Sequence, residues 1–233
     1  MPAFEGAVRL GFEYVETDVH LTADGVLVAF QDDVLDRVTD RRGVIAEMPW
    51  SAVREARVNG AQPIPLLEDL LGAFPSLRVN IEPKSDAAVG ALADTLTRCD
   101  AVDRVLVCSF VDRRVTMVRE RLGPRVCTGL GQKGVAKLIA ASRGLGRPRF
   151  VEDAAQVPPS HMGIPIVTRR FVDTAHRLGL AVHVWTIDDS REMDRLLDLG
   201  VDGIMTDRPS VLRDVLRRRG QWTDGQDAPG PTG

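Results

Sequence analysis

Apolar positions along this chain follow two rhythms. Short runs rich in valine and isoleucine, several with period two, are separated by longer stretches in which apolar residues recur every three or four positions. The first rhythm predicts buried or half-buried strands and the second amphipathic helices. Strands are expected near 14–19, 79–83, 105–110, 126–130, 155–157, 182–187 and 203–206. Helices are expected near 66–73, 87–99, 113–122, 135–141, 168–178, 190–199 and 209–218. A further short strand at 26–30 follows the turn Ala23-Asp24-Gly25, and the opening AFEGAVRLGF reads as a helix preceding the first strand. Strand–helix alternation of this kind marks a parallel sheet with crossover helices. Seven such strands predict an α/β fold of the TIM-type (β/α)8 barrel class, lacking its first strand, as one domain over residues 1–222. An open doubly wound sheet is the alternative. The last eleven residues, TDGQDAPGPTG at 223–233, are rich in Gly, Pro and Asp and are expected to be disordered.

Composition narrows the function classes. A chain of 233 residues suits one barrel. The formal net charge of −3, with no basic run interleaved with aromatics, argues against a nucleic-acid partner. Cys99, Cys108 and Cys127 lie far apart and are odd in number, which predicts reduced, mostly buried thiols in a cytoplasmic chain. No apolar run is long enough to span a bilayer, and no signal peptide is evident. The amino terminus is expected to be incomplete.

Chemistry concentrates in two segments. In YVETDVHL, strand alternation puts Glu16 and Asp18 on one face; in VNIEPK it aligns Asn80, Glu82 and Lys84. In a barrel, the active face lies where strands end, and Asp18, Glu82, Lys84, Ser109, Trp185 and Asp207 all fall at or just beyond predicted strand ends. Clustered carboxylates beside a lysine suit a hard divalent cation and a phosphate bound to it. Other readings stand beside this one. Glu16 and Asp18 alone read as solvated or salt-bridged, Lys84 as a counterion for Glu82, and Trp185 as a core aromatic or the wall of a pocket. His20 shares the face of Glu16 and Asp18, which would let it approach a metal, but is expected in a loop beyond its strand; His183 shares the parity of Trp185, which would point it into the barrel, but is expected as a satisfied core histidine. His161 falls in an irregular loop and His176 on a helix face, neither with an evident chemical partner.

The segments ETDVHLTADGVLVAFQDDVLDRVTD, PIPLLEDLL, NIEPK, VHVWTIDD and LGVDGIMTDRP resemble the glycerophosphodiester phosphodiesterase family, from about residue 3 to about residue 222. The resemblance implies a barrel that hydrolyses small glycerophosphodiesters to glycerol 3-phosphate and an alcohol in lipid metabolism, with Mg2+ or Ca2+ as cofactor. It carries the metal ligands onto Glu16, Asp18 and Glu82, a catalytic and substrate-binding lysine onto Lys84, and a substrate-binding tryptophan onto Trp185. Two departures follow. The family's opening strand with His-Arg-Gly and its Pro-Glu-Asn segment have no match here, and the family's His-Asp reads Gln31-Asp32. Gln31 therefore stands at a catalytic histidine position. Glutamine orients a group by hydrogen bonding but exchanges no proton at useful pH. The resemblance thus implies an impaired hydrolase, or a degraded homologue that binds metal or phosphodiester without turnover. A barrel short of one strand would expose two unpaired edges, which favours a homo-oligomer.

Overall fold

The computed structural model describes residues 1–222; the expected disordered tail lies outside them. The elements in chain order are α1 (Pro2–Arg9), β1 (Tyr14–Leu21), β2 (Leu27–Ala29), α2 (Trp50–Val53), β3 (Arg57–Val58), β4 (Gln62–Pro63), α3 (Leu67–Ala73), β5 (Arg78–Pro83), α4 (Asp86–Arg98), β6 (Val105–Val107), α5 (Asp112–Leu122) and β7 (Cys127–Thr128). They continue with α6 (Gln132–Ser142), β8 (Ala154–Val157), β9 (Ser160–His161), β10 (Ile164–Pro165), α7 (Arg169–Arg177), β11 (Ala181–Val184), α8 (Ser190–Asp198), β12 (Gly203–Ile204) and α9 (Pro209–Arg218).

Local chemistry sets the boundaries. Ser85, Thr168 and Asp189 cap α4, α7 and α8 by accepting from backbone N–H groups of the first turn. The predicted turn between β1 and β2 forms as expected: Gly25 takes a positive φ of 85°, and the Thr22 amide donates to the Val26 carbonyl.

Parallel pairing runs β1-β5-β6-β7 in one sheet and β8-β11-β12 in another, with β2 antiparallel on the end of β1. A single parallel bridge, Gly129 to Ala154, joins β7 to β8. The seven parallel strands therefore follow barrel order. Each half of the wall has its own apolar core. Val19, Val79, Ile81, Leu92, Leu96 and Val107 pack behind the first, and Val157, Phe171, Val182, Met193, Leu196 and Val215 behind the second. Among the described residues no strand pairs between β12 and the outer edge of β1, so the wall is open there.

The segment between β2 and α3 forms a small cap with a third core of Val28, Phe30, Leu35, Ile45, Val53, Ala56 and Ile64. The sequence reading gave no structure to this stretch. It also missed the β9–β10 hairpin, where His161 pairs with Ile164 and so does not sit in an irregular loop. Two-residue strands carry too few positions to display a period.

Candidate active site

The carboxylates come from two neighbouring strands. In the parallel register of β1 with β5, Glu16 stands beside Asn80 and Asp18 beside Glu82. The ladder continues past β5, where the Lys84 amide donates to the Val19 carbonyl, and this aims the Lys84 side chain back over the acids. Its Nζ lies 3.0 Å from Asp18 Oδ2 and 2.9 Å from Glu82 Oε2. Asp18 and Glu82 are buried, and the other oxygen of Glu82 accepts from the Phe110 amide at 3.5 Å. Glu16 and Asp18 stand close enough to share a proton. Burial, and next the charge of Asp18, push the Glu16 pKa up to about 8; burial also raises that of Asp18. Burial alone would lower the Lys84 pKa, but the hydrogen bonds to Glu82 and Asp18 outweigh it and leave it raised.

Of the three acids, Asp18 and Glu82 share the Lys84 ammonium, and Glu16 stands on the same face of β1 as Asp18. Among the described residues, no three of His, Cys, Asp and Glu are arranged to hold a metal ion as they stand. The Lys84 ammonium is the cation between Asp18 and Glu82. The all-oxygen donor set nevertheless fits a hard divalent ion in kind. The raised Glu16 pKa expresses how costly a third charge is with one ammonium as its counterion.

The other expected residues surround a cavity of about 2880 Å³ that these acids line. Gln31 follows β2 and lines the cavity together with Asp32 and Arg37, which form a bidentate pair at 2.7 and 2.8 Å. Trp185 stands just past β11, half-buried, with Phe110 edge-on at 5.6 Å. Ser109 and Asp207 line the same cavity. Of the eight large hydrophobics that stay exposed among the described residues, Phe110 and Val111 follow β6, and Met162 and Ile164 belong to the β9–β10 hairpin that follows β8.

Several expectations need correction. His20 is not in a loop: it is the penultimate residue of β1, pairs with Val28, and is buried with Nε2 donating to the Gln31 carbonyl at 3.3 Å. It supports the backbone of Gln31 from behind and does not line the cavity. His176 does have a partner, Asp202 Oδ2 at 2.8 Å. The cysteines are free as expected, but Cys127 is exposed and the other two are half-buried. Gln156 and the hydrogen bonds tying Asn80 to Gln156 to His183 across the lumen were missed. A polar residue at the inward parity of the AAQV strand was the available signal.

Comparison with known proteins identifies the family and the fold. The model of the glycerophosphoryl diester phosphodiesterase family matches residues 1–211. A Mycobacterium tuberculosis protein with the name Probable glycerophosphodiester phosphodiesterase 2 is 40% identical over 228 residues, covering 95% of this chain and 86% of that protein. Two solved structures share the fold. A glycerophosphodiester phosphodiesterase from Parabacteroides distasonis has TM-score 0.75 and 23% identity, covering 93% of this chain and 89% of its own. An Oleispira antarctica phosphodiesterase in complex with the product sn-glycerol-3-phosphate has TM-score 0.76 and 20% identity, covering 92% and 89%. With seven parallel strands in barrel order and carboxylates at their ends, this chain belongs to the glycerophosphoryl diester phosphodiesterase family, a family of phosphodiester hydrolases.

Proposed function

We propose that this chain hydrolyses small glycerophosphodiesters slowly in a divalent-cation-dependent reaction, with Glu16, Asp18 and Glu82 holding Mg2+ or Ca2+. The convergence of those acids with Lys84 carries this reading. A bound divalent ion polarises phosphoryl oxygens and lowers the pKa of a coordinated water. The chain's own residues do the rest. Lys84 leaves its carboxylate partners for the phosphoryl oxygens, which brings its charge onto the substrate. Trp185 and Phe110 wall the glycerol end. Water adds to phosphorus, the P–O bond to the alcohol breaks, and glycerol 3-phosphate and the alcohol leave. The alcohol must pick up a proton, and Gln31 has none to exchange. Turnover is therefore slow as the chain stands, and the reaction belongs to lipid metabolism. Three free thiols favour a cytoplasmic setting, where the open wall between β12 and β1 favours self-association.

The substitution at residue 31 also favours a second reading, a homologue that binds phosphodiester without turnover. One experiment separates them. Purified chain with Mg2+ or Ca2+ and glycerophosphocholine should release glycerol 3-phosphate slowly, and chelation should abolish the release. Binding of glycerophosphocholine without any release would select the second reading. Neither binding nor release would refute both.

A further inference from the structure

Level with Glu16 and one layer below Asp18 and Glu82, the lumen holds a polar chain that the reaction above does not use. Gln156 of β8 donates through Nε2 to Asn80 Oδ1 at 3.1 Å and to His183 Nδ1 at 3.2 Å. Its Oε1 accepts from Asn80 Nδ2 at 3.4 Å. Because an amide N–H can only donate, His183 Nδ1 must accept, and the imidazole proton resides on Nε2. Burial lowers the His183 pKa, so the ring is neutral in this tautomer near neutral pH. Nε2–H has no hydrogen-bond partner among the described residues. The ring is positioned by its neighbour strand. His183 pairs with Gly203 of β12, and a Cβ at Gly203 would come within 2.9 Å of His183 Cδ2. A side chain there would displace the imidazole.

A tie between the two halves of the wall accounts for the Asn80–Gln156 bonds but not for the free donor. His183 is half-buried and lines the cavity, and its Nε2 is not sealed away from water, so this donor is open to a ligand that fills the cavity. Asn80, Gln156, His183, Gly203 and Trp185 all line one cavity with the carboxylates. His183 precedes Trp185 by two residues, about 6.6 Å along a strand, close to the span of a glycerol unit.

Building on the phosphodiesterase reading, we propose that His183, held by Gln156 and given room by Gly203, is a hydroxyl-recognition subsite. Its Nε2–H donates to a hydroxyl oxygen of the glycerol end of the ligand. The chain therefore prefers phosphoesters of polyols over those of plain alkyl alcohols.

The test is calorimetric titration of the full chain, with Mg2+ present, against glycerol 3-phosphate and against propyl phosphate, which lacks both hydroxyls. The wild type should bind glycerol 3-phosphate about tenfold tighter, the value of one good hydrogen bond that the analogue cannot make. In His183→Phe that ratio should fall toward one with propyl phosphate affinity retained, and in His183→Gln, which keeps a donor, it should largely return. In the wild type, the His183 15N resonances should shift with glycerol 3-phosphate and not with propyl phosphate, a readout independent of whether either variant folds. An undiminished ratio in His183→Phe, or equal resonance shifts with both ligands, would overturn the subsite. Binding of neither ligand by the wild type would instead overturn the phosphodiesterase reading on which it rests.

Discussion

Replacing Lys84 by methionine keeps the stem and removes the charge. Two ionic hydrogen bonds, at 2.9 and 3.0 Å, go to carboxylates whose side chains are only 12% and 4% exposed. Breaking a buried pair by removing one partner costs about 3–5 kcal/mol, because the remaining charge is left uncompensated. Lys84 itself is 30% exposed, and orphaned acids take up protons, so the lower end, about 3 kcal/mol, applies. For a chain of this size each kcal/mol moves Tm by about 2–4 °C, giving a fall of about 6–12 °C in chelator. Added cation should reverse much of it, since a ligand at 100 times its Kd contributes about 2.7 kcal/mol. Scanning calorimetry of both proteins, in EDTA and across a Ca2+ or Mg2+ titration, measures this. The cation-induced rise in Tm should be larger in Lys84→Met than in the wild type, where the ammonium and the ion compete for the same oxygens. A variant within 2 °C of the wild type in EDTA, on a shift expected to be about three times larger, would refute the ion-pair energetics. Equal cation shifts in the two proteins would refute the shared site.

Gln31→His should raise kcat for glycerophosphocholine by about 10²-fold or more, the usual contribution of one proton-transferring group, and an unchanged kcat would contradict the assignment of that position. Gly131→Ala places a Cβ 2.7 Å from Asp112 Cγ and 2.8 Å from its Cα, so it should destabilise by about 1–3 kcal/mol in urea unfolding. The pKa of His183 is lowered by burial from the ordinary 6.5, so the unfolded chain binds more protons than the folded one just below that value. Its contribution to stability is complete above pH 6.5 and is lost as pH falls toward the lower folded pKa. Raising the pH from 5.5 to 7.5 should therefore shift the urea midpoint less favourably in His183→Phe than in the wild type, the opposing ionisation of Glu16 being common to both; an identical shift would mean that the imidazole is not the titrating group.

Much of the site was legible because strand parity is a strong constraint. Glu16, Asp18 and Glu82 share one face of the sheet for the same reason that Val19 and Ile81 share the other, against the core. The reading of Lys84 as a counterion and its reading as a phosphate ligand were both open in the sequence. In the structure it is the counterion, and of two carboxylates, not one. What escaped depends on contacts between residues distant in sequence. His20 belongs to β1 because the β2 strand pairs with it, and nothing inside YVETDVHL reports that partner. The Gln156–Asn80 bonds join positions 76 residues apart. His176 finds Asp202 only because α7 and the start of β12 are brought together by the wrap of the chain.

The wall of this barrel is two panels joined along one seam at Gly129–Ala154 and laced across the lumen by the Asn80 and Gln156 amides. The acids stand on one panel and the indole of Trp185 on the other. The width of the mouth is thus set by that seam and that lacing, and a ligand gripped from both sides loads both. Slower amide exchange in β8 and β11 on binding, away from the acids, would be the trace it leaves.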